Sequence, residues 1–157
     1  MKSKLVWEGA GGRTFVLALD VGEEASRAIA DFAASNEIES ASLTATGGFE
    51  RAELGWFDLK QKTYKPIPVW RQSEGLSLTG DVAIGEDGAP SLHLHAVLGL
   101  SDGSTRGGHL LKGVVRPALE VTLVETPAHS RNPPQRWPAA DYPPSARSSA
   151  WINGPAE

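Results

Sequence analysis

Three histidines in one stretch of the chain could together hold a transition metal. His93 and His95 are one residue apart, and His109 follows a glycine-rich segment. Imidazole is a common ligand of first-row metals, and three histidines plus a water form the ligand set of some catalytic zinc sites. The chain has no cysteine, so a zinc site must use histidine, aspartate or glutamate. A bound Zn²⁺ could polarise a carbonyl or activate a water molecule.

The strand predicted over residues 91–100 shows where the first two histidines point. Alternate residues of a strand lie on opposite faces. One face is continuously apolar and is predicted to face the core; it consists of Leu92, Leu94, Ala96, Leu98 and Leu100. His93 and His95 lie on the other face, which argues against their being ordinary core histidines.

The turn that follows predicts where His109 lies. Residues 101–103 suit a three-residue hairpin loop that ends on Gly103 in a left-handed conformation. A hairpin centred on this loop places His95 opposite His109 with Cβ atoms about 4.5–5.5 Å apart, and His93 diagonally at roughly 7–8 Å. A two-residue turn would instead put His109 on the wrong face, so the site depends on this loop or on a bulge.

Several neighbouring residues could shape or complete the site. Gly107 and Gly108 would leave space beside the histidines. Glu120 could be a fourth ligand, a partner that orients a ligand, or a general acid or base; an exposed strand carboxylate is the alternative. Arg106 could hold an anionic ligand or simply be solvated. His129 is expected to be solvated rather than a ligand.

The remaining pattern predicts one helix and many strands. Residues 13–20 alternate as a strand, and a helix follows over residues 22–36, with Glu23 and Glu24 in its first turn. Turn signals such as Gly47-Gly48 divide the rest into strands at 38–46, 51–59, 67–71, 76–84, 91–100, 109–115 and 119–125. The predicted class is α+β, with one main helix packed on a largely antiparallel, partly barrel-like sheet.

Composition limits the organisation and the partners. The 157 residues suit one domain over 1–125, followed by a Pro-rich tail over 126–157 that is disordered or lies extended across its own domain or a neighbouring subunit. No stretch is long and apolar enough to span a membrane, and the first residues do not form a secretory signal, so a cytoplasmic location is expected. The net charge of −4 and the scattered basic residues argue against strong, unaided DNA binding.

Residues 13–125 resemble the PPC family (plants and prokaryotes conserved, also written PCC). The most specific part of the resemblance is the pair of histidines followed by the turn and the second glycine pair: His93, His95, Asp102, Gly103, Gly107, Gly108 and His109. The resemblance implies a homotrimer and, by similarity to prokaryotic members, a zinc ion on His93, His95 and His109. It also implies a fold similar to that of acetolactate decarboxylase, which identifies no reaction by itself.

Two functions remain open at this point. The first is a metal-binding oligomer whose open zinc position binds or transforms a small oxygen-bearing ligand, with a carboxylate such as Glu120 handling protons. The second is a non-enzymatic interaction module with DNA-associated or regulatory partners, because plant relatives carry AT-hooks. This chain has no Arg-Gly-Arg-Pro hook.

Overall fold

The fold is mostly β. The computed structural model describes residues 1–85 and 87–126. The elements in this part of the chain are β1 (Lys2–Gly9), β2 (Gly12–Leu19), α1 (Ala25–Ser35), β3 (Ser40–Asp58), β4 (Thr63–Val69), β5 (Ser73–Ile84), β6 (Pro90–Gly99) and β7 (Thr105–Glu125). The helix has 11 residues, whereas β3 and β7 have 19 and 21. The prediction of an α+β fold with one main helix on the sheet is therefore wrong. The Pro-rich tail from residue 127 onward lies outside the described residues.

The strands form one sheet in which each described pairing is antiparallel. Their order is β1-β2-β7-β6-β5-β3-β4, and β7 also pairs with β3. Because β7 contacts both β6 and β3, the strands β3, β5, β6 and β7 close into a ring. The pair β1-β2 extends the sheet from the second half of β7, and β4 extends it from β3.

Glycines explain why two strands are longer than predicted. Gly47 and Gly48 mark a turn in the sequence, but the structure carries β3 straight through them as an irregular, bulged strand. A Cβ on Gly47 would lie 2.3 Å from the carbonyl oxygen of Ala118, and one on Gly48 would lie 2.3 Å from that of Arg116. The glycines therefore allow β3 and β7 to approach closely instead of ending a strand.

The helix begins later than predicted. Glu24 is its N-cap, and the carboxylate accepts hydrogen bonds from the backbone N–H groups of Ser26 and Arg27. Glu23 and Glu24 therefore precede the first turn. The buried side of the helix belongs to the core, and its residues are Ala25, Ile29, Phe32 and Ala33. No helix among residues 1–85 and 87–126 has the length and hydropathy to cross a membrane.

The predicted faces of β6 are confirmed. Leu94, Ala96 and Leu98 are buried in the core, while His95 on the other face is exposed. The strand β1 was missed by the sequence reading. All eight of its residues are exposed, so it has no apolar face that alternation could reveal.

Candidate metal centre

A three-residue loop sets the register of the hairpin formed by β6 and β7. The backbone N–H of Leu100 donates to the carbonyl of Ser104 at 2.8 Å, and that of Gly103 donates to the carbonyl of Leu100 at 2.9 Å. Gly103 has a φ of 80°, a left-handed conformation that favours glycine. His95 is the direct partner of His109 in this ladder. The register predicted from the loop is confirmed.

The three imidazoles converge on the face of β6 and β7 that is opposite the buried Leu94, Ala96 and Leu98. One nitrogen from each of His93, His95 and His109 lies within 4.8 Å of the other two. The Nε2 atoms of His93 and His95 are 3.1 Å apart. Two nitrogens bound at 2.0–2.1 Å to one tetrahedral zinc ion are separated by about 3.3 Å. The spacing of this pair is therefore close to that of two ligands of one ion.

His109 is the buried member of the cluster. Its residue is 6% exposed, and its Nδ1 has no hydrogen-bond partner among the described residues. Burial, followed by the nearby charges of His93 and His95, lowers the pKa of His109 to about 4. The ring is therefore neutral at physiological pH and keeps a lone pair for a ligand. Three converging imidazole nitrogens form a donor set that suits a transition-metal ion such as Zn²⁺. The residues present fit such an ion.

Two residues of β5 lie beside His93, and the sequence pattern alone did not single out either of them. A Cβ on Gly80 of β5 would lie 2.0 Å from the carbonyl oxygen of His93, so only glycine allows β5 this close to β6. Asp81 lies directly opposite His93 in the β5–β6 ladder. The pairing of β5 with β6 is symmetric about Asp87, so a hairpin centred on Asp87 predicts that Asp81 lies opposite His93.

An aromatic side chain from β4 covers the buried histidine. The ring of Tyr64 stacks on that of His109 with centroids 4.9 Å apart and planes at 29°. Burial raises the pKa of Tyr64, so its phenol stays protonated. Tyr64 is far from His109 in the sequence and lies in β4, which pairs with β3 and not with β7. No local sequence signal points to this contact.

Glu120, the predicted carboxylate of the site, is not near the histidines. Glu120 is exposed and pairs with Ala18 and Thr46, whereas His109 pairs with His95 and Gly55, so the structure does not bring Glu120 to the histidines.

Arg106 is exposed, and its guanidinium donates to the carbonyl of Thr105 at 2.9 Å. Strand alternation places Arg106 on the opposite face from His109. A Cβ on Gly107 would come no closer than 3.5 Å to its nearest neighbour, an oxygen of Ala96, which leaves room beside the site. Gly108, by contrast, packs tightly, since its Cβ would lie 2.7 Å from the carbonyl oxygen of Gly55. His129 lies outside the described residues.

Solved structures with related sequences share this fold. A plant- and prokaryote-conserved (PPC) protein from Pyrococcus horikoshii is 29% identical with a TM-score of 0.77, and the match covers 92% of this chain and 94% of that one. A metal-containing protein from Archaeoglobus fulgidus is 34% identical with a TM-score of 0.70, covering 80% and 86%. A protein from Ralstonia eutropha JMP134, named as a candidate DNA-binding protein, is 28% identical with a TM-score of 0.69, covering 77% and 82%.

The family comparison covers most of the chain. No curated protein matches the sequence. The model of the Plants and Prokaryotes Conserved (PCC) domain matches residues 7–127, which include the three histidines and all of β2 to β7. This chain belongs to the PCC domain family.

Proposed function

We propose that the chain binds Zn²⁺ through His93, His95 and His109 and offers a fourth, open coordination position to a small oxygen-bearing ligand. The observation that carries the proposal is the convergence of three imidazole nitrogens, one from each histidine, which all lie within 4.8 Å of one another. The similarity to a metal-containing protein at 34% identity supports it.

The donor set favours zinc with an open position. The cluster contains three nitrogen donors and no carboxylate among the described residues. Structural zinc sites are usually closed by four protein ligands, whereas catalytic sites use three and leave the fourth position to water or substrate. When bound, zinc would polarise a carbonyl or lower the pKa of a bound water to about 7.

The chain's own residues determine how a ligand would reach the ion. His109 is buried and covered by Tyr64, while His95 is exposed, so a ligand approaches from the side of His95. Gly107 has no side chain on that surface and leaves space for it. Glu120 is not part of this proposal because of its distance along β7 from His109.

We also infer that the chain assembles as a homotrimer, as the family resemblance implies, and that it works in the cytoplasm. Exposed apolar side chains on the edge strand β1 are consistent with a subunit contact; they are Leu5, Val6 and Trp7. Light scattering of the purified protein tests the assembly. A monomer at micromolar concentration would contradict it.

A DNA-associated role is the second candidate, favoured by the name of the relative from Ralstonia eutropha. The net charge of −4 does not favour it. An electrophoretic shift with duplex DNA at several salt concentrations separates the two functions. Binding that weakens steeply with salt supports the DNA role, and no shift at low salt removes it.

Elemental analysis of the purified chain tests the metal site. The proposal expects one zinc per chain in the wild type and loss of zinc in His95→Ala. Glu120→Gln is the matched control on the same sheet, and it should keep the metal. A wild type that binds no zinc after zinc is supplied, or a His95→Ala variant that keeps its zinc, would contradict the proposal.

A further inference from the structure

Three rings form a continuous stack, and two of them belong to the histidine cluster. Tyr64 stacks on His109, and His109 stacks on His93 with centroids 5.0 Å apart and planes at 28°. His95 stands almost perpendicular to both of these histidines, at 75° to His93 and 86° to His109. His109 therefore stacks on two roughly parallel rings, and one of them, Tyr64, comes from outside the cluster.

The local backbone is arranged so that Tyr64 can reach this place. Gly55 of β3 pairs with His109 on β7, and a Cβ on Gly55 would lie 2.8 Å from the ring of Tyr64. The absence of a side chain at Gly55 lets the tyrosine lie over the strand and against the imidazole. Phe57 meets the ring of Tyr64 edge-on at 5.2 Å, which holds it from another direction.

The stack constrains the ring of His109 while leaving its nitrogens available. The lone pair of an imidazole nitrogen lies in the plane of the ring, so rings that stack on it do not block a metal. They oppose rotation of the ring about its χ2 torsion, which is otherwise broad. The stacking contacts with Tyr64 and His93 thus restrict the direction in which the nitrogens of His109 point.

We propose that Tyr64 is a positioning residue that orients His109 for metal binding. This inference rests on the proposed function, since it assigns a role to a residue that does not itself bind the ion. Partners that orient metal-bound histidines typically act by hydrogen bonding, and their loss weakens metal affinity about 10–100-fold. Here the orienting contact is an aromatic face, so the ring of Tyr64 is required and its hydroxyl is not.

Two substitutions at Tyr64 separate this role from simple packing. Tyr64→Phe keeps the ring, and it should bind Co²⁺ with the affinity and visible absorption spectrum of the wild type. Tyr64→Leu keeps apolar volume without a ring, and it should bind Co²⁺ about tenfold more weakly with an altered spectrum. Trp56→Leu is the matched control, because it removes an exposed aromatic ring that packs on Lys65 instead. Its Co²⁺ affinity should equal that of the wild type.

Gly55→Ala provides a second route to the same answer. Its Cβ would displace the ring of Tyr64 without removing it, so Co²⁺ affinity should fall as in Tyr64→Leu. This variant decides the matter if Tyr64→Leu does not fold. A folded Tyr64→Leu or Gly55→Ala with wild-type affinity and spectrum would overturn the inference. Wild-type protein that binds neither Co²⁺ nor Zn²⁺ would instead overturn the proposed function itself.

Discussion

The two halves of β7 differ in whether their polar side chains have hydrogen-bond partners among the described residues. In the second half, residues 119–125, Glu125 accepts hydrogen bonds from Nε and Nη2 of Arg13, both at 2.7 Å. The same guanidinium also donates to the carbonyl of Asn36 at 3.0 Å. In the first half, residues 105–110, the buried Nδ1 of His109 has no partner among the described residues.

This difference distinguishes a structural polar contact from a site. Buried polar groups in folded proteins are nearly always hydrogen-bonded, so an exception needs an explanation. Arg13 and Glu125 connect β2 and the end of the helix to β7, and the hydrogen bonds of the guanidinium to Glu125 and Asn36 are made within the chain. In the histidine cluster, the Nε2 atoms of His93 and His95 lie within hydrogen-bonding distance of each other, while the buried Nδ1 of His109 has no partner among the described residues.

Substitution of Gly80 in β5 should have the largest effect on the histidine cluster. In Gly80→Ala the new Cβ would lie 2.0 Å from the carbonyl oxygen of His93, so β5 and β6 must separate. We expect a loss of about 3 kcal/mol in the free energy of unfolding, measured by urea denaturation, together with loss of zinc. Gly107→Ala is the control, since its Cβ has only ordinary contacts, and it should cost far less. Equal stability of the two variants would contradict the account.

Zinc should stabilise the fold through the histidine cluster, and this stabilisation should not depend on the ion pair between Arg13 and Glu125. A free zinc concentration a hundredfold above the dissociation constant should add about 2.7 kcal/mol to the free energy of unfolding. His109→Ala should lose this increment, while Glu125→Gln should keep all of it. Denaturation with and without zinc measures both. Zinc stabilisation that survives in His109→Ala would place the ion elsewhere.

Acid should weaken the ion pair between Arg13 and Glu125 and so lower the free energy of unfolding. Its hydrogen bonds to Arg13 lower the pKa of Glu125 below its ordinary value of 4.5. A lowered folded-state pKa contributes stability that is present above the unfolded pKa and is lost as pH falls through the folded pKa. Glu125→Gln should therefore cost about 2 kcal/mol near neutral pH and progressively less in acid. A cost that stays constant down to the acid limit of folding would show that the charge is not responsible.

The loop that sets the register should tolerate a change best. Gly103→Ala places a Cβ at a φ of 80° and should cost about 1 kcal/mol. The ladder that pairs His95 with His109 should persist, and zinc should still bind. A variant that folds but loses zinc would indicate that the strands have slipped by one residue.

The local sequence pattern was enough to predict that His95 pairs with His109. It was not enough to predict which residues of other strands surround this pair. A three-residue loop and the alternation of residues 91–100 together determine which residue faces His95. Gly47-Gly48 was read as a turn because a glycine pair fits a turn and a bulge equally well, and only the closeness of β7 decides between them. Tyr64 reaches His109 through the pairing of β4 with β3, a long-range contact that leaves no mark in local sequence.

Anomalous scattering at the zinc edge from a crystal grown with zinc tests the central claim most directly. The account predicts one peak per chain, about 2.0–2.1 Å from one nitrogen of each of His93, His95 and His109. A fourth position occupied by water or a small ligand would complete the site. A crystal with no peak between these three rings, or with zinc bound only elsewhere, would contradict the account.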